Sequence, residues 1–215
     1  MTYLQLINHV MRRLREDEVA TYNETDYSTL IGDLVNDAML KVQNAWNWSM
    51  LQTTTTVNTV ASTATVELAD SNEHTQIHQI VNTTNNHRLT SQARSYIDYQ
   101  QAMNNSEGPP TYWSFSSQDS ADGDATIQLW PTPDAVYALE VLHNVKQDRM
   151  TDSGDVLLVP DDPVIQLAVA YALEERGDTG GQNNMTQFQR ADQALADAVA
   201  LDMNRDPDLS TWTEY

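Results

Sequence analysis

The first fifty residues repeat apolar side chains at spacings of three and four, which is the period of one helix face. Helices are predicted at 3–15 and 27–46, with a polar connector at 16–25 between them. Thr25 or Asp26 stands where a side chain can cap the second helix. The apolar face of the first helix consists of Tyr3, Leu6, Ile7, Val10, Met11 and Leu14.

After residue 50 the period changes to two, the alternation of half-buried strands. A turn at 58–62 is expected to join the first two strands. Asn85-Asn86 is expected to reverse the chain after the third, because asparagine tolerates positive φ. A short helix is predicted at 93–103, before the stop at Gly108-Pro109-Pro110. The predicted strands lie at 53–57, 63–68, 77–81, 111–117, 125–130 and 136–145.

The helical period returns in the last third of the chain. Proline and two acidic residues at 160–163 are typical of a first helical turn, and Gly177 is expected to end that helix. A last helix is predicted at about 185–203. The residues after it, 204–215, have neither a helical nor a strand period, although they contain Leu209, Trp212 and Tyr215.

These elements predict an α+β fold. Its N- and C-terminal helices would form a helical bundle, which encloses an inserted antiparallel β-sheet or sandwich and continues into an extended C-terminal tail. The expected bounds are 1–50 and 150–203 for the helical domain, 51–149 for the β module and 204–215 for the tail. A chain of 215 residues is long enough to bury such cores without cross-links.

Charge narrows the possible partners. The formal net charge is −20, and Lys41 and Lys146 are the only lysines. Such a charge opposes binding to nucleic acid and to anionic membranes. No apolar stretch approaches the roughly 20 residues that cross a bilayer, and the first residues lack the pattern of a signal peptide. We therefore expect a soluble, unexported protein.

Signatures of catalysis and of cofactor binding are absent from the sequence. The seven glycines form no G-x-G pattern, and neither a nucleophile elbow nor an H-E-x-x-H zinc motif occurs. The chain contains no cysteine, which excludes disulfides and thiolate metal sites. We predict a protein that is not an enzyme, with no catalytic residues and no cofactor.

Three groups of residues have side chains that can bind metals, but we expect none of them to be a metal site. His74 and His78 are four apart, but in a predicted strand that spacing is about 13 Å, too far to share an ion. Two acidic loops lack the closing glutamate of a calcium-binding loop. They contain Asp119, Asp122 and Asp124, and Asp152 and Asp155.

Two further groups of residues are of types that can bind a phosphate, a sugar or a base. Arg12, Arg13 and Arg15 form the single basic cluster, but Glu16, Asp17 and Glu18 follow directly, so salt bridges on the helix surface are expected rather than a phosphate contact. Trp46 and Trp48 lie at a helix end. Packing in a core, where helices meet the sheet, is expected rather than stacking on a sugar or base.

The order of several short motifs resembles the head-to-tail adaptor proteins (connector, or tail-tube-A-like proteins) of short-tailed bacteriophages. A predicted helix ends in Trp46-Asn47-Trp48, and a Thr-rich strand follows. After Gly108-Pro109-Pro110-Thr111-Tyr112-Trp113 comes Ile127-Gln128-Leu129-Trp130-Pro131-Thr132-Pro133-Asp134, which matches the adaptor pattern of alternating apolar residues before P-x-P-D. A predicted helix after Asp161-Asp162-Pro163 completes the order. The chain departs from adaptors at Leu142-His143-Asn144, where they often have a tyrosine pair.

The resemblance implies a virion structural protein, made in the host cytoplasm and located at the portal-tail junction. Its copies, commonly twelve, would form a ring that binds the portal protein and the tail nozzle or tube protein. DNA would pass through the ring without specific binding, and no membrane is involved. The helical part would form the ring, and the β module would face the tail. C-terminal segments of such proteins often reach the portal, so Leu209, Trp212 and Tyr215 are the expected portal-docking residues.

Two alternatives remain at this point. A β-sandwich carbohydrate-binding module would use Trp113 and Trp130 as stacking platforms. A hydrolase would need a pocket in which titratable groups converge.

Overall fold

The computed structural model describes residues 1–69, 71, 75–104, 106–118, 123–177 and 182–205. These residues form a mixed α+β structure, which confirms the predicted fold class. The helices are α1 (Tyr3–Arg13), α2 (Asp26–Ala45), α3 (Arg94–Met103), α4 (Asp161–Glu175) and α5 (Gln182–Met203). The strands are β1 (Gln52–Asn58), β2 (Thr65–Leu68), β3 (Gln76–Asn82), β4 (His87–Arg88), β5 (Thr90–Ser91), β6 (Tyr112–Gln118), β7 (Ala125–Trp130) and β8 (Ala138–Asn144).

The described residues divide into two compact units. A helical unit consists of Met1–Leu51 and the residues from Gln147 onward, and a β unit consists of Gln52–Lys146. Each unit has a buried apolar cluster of its own. The helical unit is therefore built from both ends of the chain.

Both N-terminal helices begin with reciprocal capping interactions. The Thr2 hydroxyl accepts from the backbone N–H of Gln5, whose side chain accepts from the backbone N–H of Thr2. At α2 the Thr25 hydroxyl accepts from the backbone N–H of Ser28 at 2.9 Å, and the Ser28 hydroxyl accepts from the backbone N–H of Thr25 at 3.0 Å. Of the two predicted caps, Thr25 is thus the cap, and Asp26 is the first helical residue.

Helix α4 packs against α1, α2 and α5. It begins after Pro160 with two acidic residues in its first turn, and Gly177 follows its end at a φ of +87°, a conformation that favours glycine. A helical period alone predicts one apolar face, but the buried surface of α4 is wider than one face. Because helices cover α4 on several sides, its buried residues extend around it: Val164, Ile165, Leu167, Ala168, Val169, Ala170 and Ala172.

The β unit contains two four-stranded sheets, with the strand orders β1-β8-β3-β4 and β2-β7-β6-β5. The apolar residues of both sheets form one buried cluster, which agrees with the sandwich alternative rather than a single sheet. Ile80, Leu139 and Val141 come from the first sheet, and Leu68, Ile127 and Leu129 from the second. The predicted reversal after β3 is confirmed, since Asn86 has a φ of 52° and β3 pairs with β4.

A turn does lie between β1 and β2, as expected, but the two strands do not pair with each other. β1 pairs with β8, and β2 pairs with β7 in the other sheet. The connection between them is held by Thr59, whose backbone N–H donates to the carbonyl of Tyr137. The Thr59 hydroxyl donates to the carbonyl of Ala135 and accepts from the backbone N–H of Tyr137. The connection thus crosses between sheets.

One strand pair is parallel, although an antiparallel module was predicted. β5 runs parallel to β6, with Thr90 opposite Tyr112 and Ser91 opposite Trp113. Parallel neighbours need a crossover connection, and α3 lies between these two strands in the chain. The α3 side chains Asp98 and Gln101 accept hydrogen bonds from the Gln128 amide on β7. The predicted inserted helix is therefore the crossover.

Candidate functional site

The described residues present three surfaces that are candidates for binding another molecule. The first is an apolar groove of about 220 Å³ at the end of α5. Leu201 and Met50 are 67% and 40% exposed, although both are large and apolar. The groove also includes Trp48, Pro160, Ala198, Asp202 and Arg205. Exposed apolar surface of this kind marks sites of association.

A buried carboxylate fixes one wall of this groove. Asp202 is 2% exposed and accepts from the Trp46 indole N–H at 3.2 Å, the Ser49 backbone N–H at 2.9 Å and the Ser49 hydroxyl at 2.6 Å. The Trp48 indole N–H donates to the carbonyl of Val42 at 2.9 Å. The end of α5 is thus fastened to the segment that follows α2.

The second surface is an aromatic patch on the β unit. The ring of Tyr112 lies 6.0 Å from that of Tyr96 and 5.6 Å from that of Trp130. Tyr99 and Met103, further along α3, are 59% and 71% exposed. Tyr96, Tyr99 and Met103 follow at spacings of three and four, which places them on one side of this helix, and all three are exposed. The core-facing residue of α3 is Ile97.

The third surface is a wide groove of about 870 Å³ between the end of α1 and the helices α4 and α5. Its arginines are Arg13, Arg15 and Arg190. It is the surface on which basic side chains of this acidic chain converge.

Comparison with known proteins decides the family. A family model described as SU10 adaptor protein matches residues 1–211. The chain belongs to the SU10 adaptor protein family. This is a family of phage adaptor structural proteins, so the chain is a structural component of the virion, and the predicted membership in the phage adaptors is confirmed. No curated protein gives a significant match to the chain.

The portal-docking residues predicted for this SU10 adaptor protein lie outside the described residues. Leu209, Trp212 and Tyr215 all follow Arg205, the last residue that the structure describes. Arg205 itself contributes to the apolar groove at the end of α5. The docking role of the three residues stays a prediction.

The two tryptophans of the carbohydrate-binding alternative do not form a platform in the SU10 adaptor protein. Trp113 is 7% exposed and belongs to the core of the β unit. Trp130 on β7 lies opposite Tyr112 on β6, so these two side chains share a face of the sheet. Tyr112 directly precedes Trp113, and successive side chains of a strand point to opposite faces, so Trp130 and Trp113 lie on opposite faces. One tryptophan is therefore buried, and the other stacks within the aromatic patch.

The tryptophan pair at the end of α2 behaves largely as predicted. Trp48 is fully buried in the core of the helical unit. Trp46 is partly buried and bonds to Asp202. No sequence pattern indicates the role of Asp202, because one aspartate among 31 acidic residues does not stand out. The hydrogen bond between Ser49 and Asp202 joins residues that are 153 positions apart, so no local sequence pattern reveals it.

The basic cluster is divided between two roles. Arg12 forms the expected salt bridge with Glu18 at 3.3 Å, and Glu16 pairs with the distant Arg176 instead. Arg13 donates to the Gln166 side chain at 2.7 Å. Salt bridging thus explains Arg12, whereas Arg13 and Arg15 lie in the groove that includes Arg190.

Only some of the residues considered as metal ligands belong to the part of the chain that the structure describes. His74, Asp119 and Asp122 lie outside the described residues, and the described residues contain no group of three or more histidine or acidic residues that could hold an ion. Asp155 accepts from the backbone N–H groups of Asp152 and Thr151, and these bonds lower the pKa of its carboxyl. Asp155 therefore stabilises its own loop. Among the described residues, no helix is long and apolar enough to span a membrane.

Proposed function

We propose that this SU10-family protein is a head-to-tail adaptor whose copies, twelve in number, form a ring between the portal and the tail. The observation that carries the proposal is the family match over residues 1–211. A ring multiplies weak contacts, because each subunit repeats the same interface with its neighbours and closure makes the last contact intramolecular. The helical unit forms the ring, and the β unit faces the tail nozzle or tube protein.

The exposed apolar surfaces support a role in assembly. The helical unit presents Leu201 and Met50 at the α5 groove, and the β unit presents Tyr99 and Met103 on α3. Each unit therefore carries apolar surface to which another protein can bind. An adaptor needs two such surfaces, one for each neighbour along the axis of the particle.

The residues after Arg205 are proposed to bind the portal. They combine three apolar side chains, Leu209, Trp212 and Tyr215, with Asp206, Asp208 and Glu214. Large aromatic residues dominate the energetics of protein interfaces. Twelve copies of such a segment bind a portal ring with high avidity, even if each one binds weakly.

The net charge of −20 supports passage of DNA through the ring without adhesion. Carboxylates that line a bore repel the phosphate backbone, so the duplex has no stable stopping point.

The portal contact is tested by replacing the three apolar residues together. Leu209→Ala, Trp212→Ala and Tyr215→Ala should abolish binding to a purified portal ring, measured by co-sedimentation. Ser210→Ala, Thr211→Ala and Thr213→Ala change three polar residues of the same segment and provide the matched control. If the apolar triple variant binds as the wild type does, the proposed docking role is wrong.

The location is tested in particles. Virions that carry a labelled copy of the chain should show the label as a ring at the portal-tail junction in electron microscopy. Label elsewhere in the particle, or a single copy per particle, contradicts the adaptor ring.

A further inference from the structure

The groove between α1, α4 and α5 has an unusual composition for this chain. Basic residues number 11 of 215, yet Arg13, Arg15 and Arg190 are three of the nine described residues that line it. Acidic residues number 31, yet none of those nine is acidic. The remaining lining residues are Leu14, Gln166, Val169, Leu173, Thr186 and Gln187. We call this surface the arginine groove.

The arginines elsewhere on the chain mostly have acidic partners within it. Ion pairs join Arg12 to Glu18, Arg94 to Asp98, Arg149 to Asp37 and Arg176 to Glu16. In the described part of the chain, no ion pair involves an arginine of the arginine groove. Arg13 bonds only to the neutral amide of Gln166 there. Among the described residues, the guanidinium groups of the groove therefore have no carboxylate partner, and they can bind an anion from outside the subunit.

Guanidinium groups fit carboxylates closely, because the planar fork donates two parallel hydrogen bonds to the two carboxylate oxygens. Gln187 is 7% exposed and donates to both the side-chain and backbone oxygens of Gln166, so hydrogen bonds hold two neutral residues of the groove lining in place. An extended anion such as duplex DNA would also meet the rest of a surface of charge −20, which repels it. Discrete carboxylates on another protein are therefore the better match.

We propose that the arginine groove takes exposed carboxylates of a second copy of this chain and forms the contact between neighbours in the ring. The proposal rests on the ring of the proposed function and specifies one of its interfaces. Copies that each carry −20 repel one another, so a stable ring needs local contacts of opposite charge. In a ring each groove has one neighbouring copy, so the carboxylates of that copy are present once for every groove.

The other end of α1 carries charge of the opposite sign. Arg13 lies ten residues from Tyr3, which is about 15 Å along a helix. At that end the loop with the exposed Asp152 packs on the start of α1, where Leu4 donates to the carbonyl of Ser153. Gly32 of α2 lies against the Tyr3 hydroxyl, so the next residue, the exposed Asp33, is also near this end of α1. One subunit thus offers both charges at separate places, as a head-to-tail contact around a ring requires.

Photo-cross-linking in assembled virions tests the contact. A photoreactive amino acid replaces the exposed groove residue Thr186, and products are separated by mass and mapped by peptide mass spectrometry. We expect a product at twice the 24.2 kDa mass of the chain, with the link mapped to an acidic surface of the second copy. Links to another protein or to DNA, or no link at all, overturn the proposal.

Charge reversal shows whether the arginines hold the contact. Arg15→Glu with Arg190→Glu should reduce the cross-linked product per incorporated chain at least tenfold. Arg12→Glu with Arg88→Glu makes the same change in charge outside the groove and should leave the yield within twofold. Circular dichroism verifies folding of each pair, and Arg15→Gln with Arg190→Gln replaces the first pair if it fails to fold. An unchanged yield in the groove pair overturns the proposal.

The two proposals fail in different ways. If the chain is absent from the portal-tail junction of labelled virions, the adaptor function itself is wrong. If the chain forms its ring there but the groove cross-links to the portal, the tail or DNA, only the inference about the groove fails.

Discussion

At Gly32 the absence of a side chain lets helix α2 approach Tyr3 on α1. A Cβ atom at this position would overlap the Tyr3 hydroxyl and lie 3.2 Å from its Cζ and 3.4 Å from Cδ1 of Ile7. Tyr3 is 3% exposed, and its hydroxyl accepts from the Asn36 amide at 3.2 Å, so the ring has no free space to move into. Close packing of two helices thus depends on a glycine within α2.

Gly32→Ala should therefore destabilise the helical unit. Overpacking of a core costs about 1–3 kcal/mol, and the better helix propensity of alanine offsets up to about 1 kcal/mol of this. Urea denaturation followed by circular dichroism measures the difference. The same substitution in a Tyr3→Phe background, which lacks the hydroxyl, should be less destabilising. Equal costs in the two backgrounds would show that the hydroxyl does not set the limit.

His143 should make the β unit less stable in acid. It is 1% exposed, and burial, together with the charge of His78, lowers its pKa below the usual 6.5, although a bond to the Val141 carbonyl opposes the shift. The unfolded chain therefore takes up a proton at a higher pH than the folded chain does. Its contribution to stability is complete above pH 6.5 and is lost as the pH falls through the lowered value.

Urea denaturation at pH 8, 6 and 5 tests this. The wild type should lose stability between pH 8 and 5 relative to a His143→Leu variant, in which this proton uptake is absent. His87→Leu, at an exposed position of the short strand β4, is the control and should follow the wild type. Parallel pH profiles of the wild type and the His143 variant would contradict the argument.

Sequence reasoning succeeded for residues whose role is local. The helix caps, the positive φ of Asn86 and the stop at Gly177 all depend on neighbours within a few residues. It failed for Asp202 and Thr59, whose partners lie far along the chain. Of the candidate site residues, Trp48 was placed in a core by its size alone, whereas the convergence of Arg13 and Arg15 with Arg190 required the tertiary structure.

Among the elements, the connection between β1 and β2 decides how the sheets are arranged. Residues 59–64 separate β1 from β2, a length that is compatible with a hairpin, and periodicity along the chain cannot distinguish a hairpin from a crossing between sheets. The distinction depends on Thr59, which is 1% exposed and binds the segment before β8 through both its backbone and its hydroxyl. The strands themselves were predicted, but their partners were not.

Thr59→Val should destabilise the β unit by about 1–3 kcal/mol, because the buried N–H of Tyr137 loses its acceptor while side-chain volume is preserved. Thr63→Val, an exposed threonine near the same connection, is the matched control and should change stability by less than about 0.5 kcal/mol. Thermal unfolding by circular dichroism measures both. A Thr59 variant as stable as the control would mean that another group satisfies Tyr137.

Removal of a helix cap gives a second test at this scale. Thr25→Ala should cost about 0.5–2 kcal/mol, because the first turn of α2 loses its side-chain acceptor at the Ser28 backbone N–H. Thr29→Ala in the same turn, whose hydroxyl bonds only to the Thr25 carbonyl, should cost less. Urea denaturation measures the free energy of unfolding, and equal losses in the two variants would contradict the capping role.

For the molecule as a whole, charge governs the encounter with DNA. At −20 the chain should not bind a 30-base-pair duplex, even at roughly 10 mM salt, where the Debye length reaches about 30 Å and electrostatic attraction would be strongest. Fluorescence anisotropy of a labelled duplex measures this. Binding that disappears on Arg15→Glu with Arg190→Glu would instead assign the arginine groove to phosphate.

The helical unit contains both ends of the described chain, and this determines when its core can close. On the ribosome, α1 and α2 emerge first, but α4, against which both pack, is complete only after residue 175. At synthesis rates of about 5–20 residues per second, the first two helices wait roughly 6–26 s for that partner. Each nascent copy therefore exposes the apolar faces of α1 and α2 that α4 will cover while the β unit is being made, and its net charge of −20 opposes association with other copies during that time.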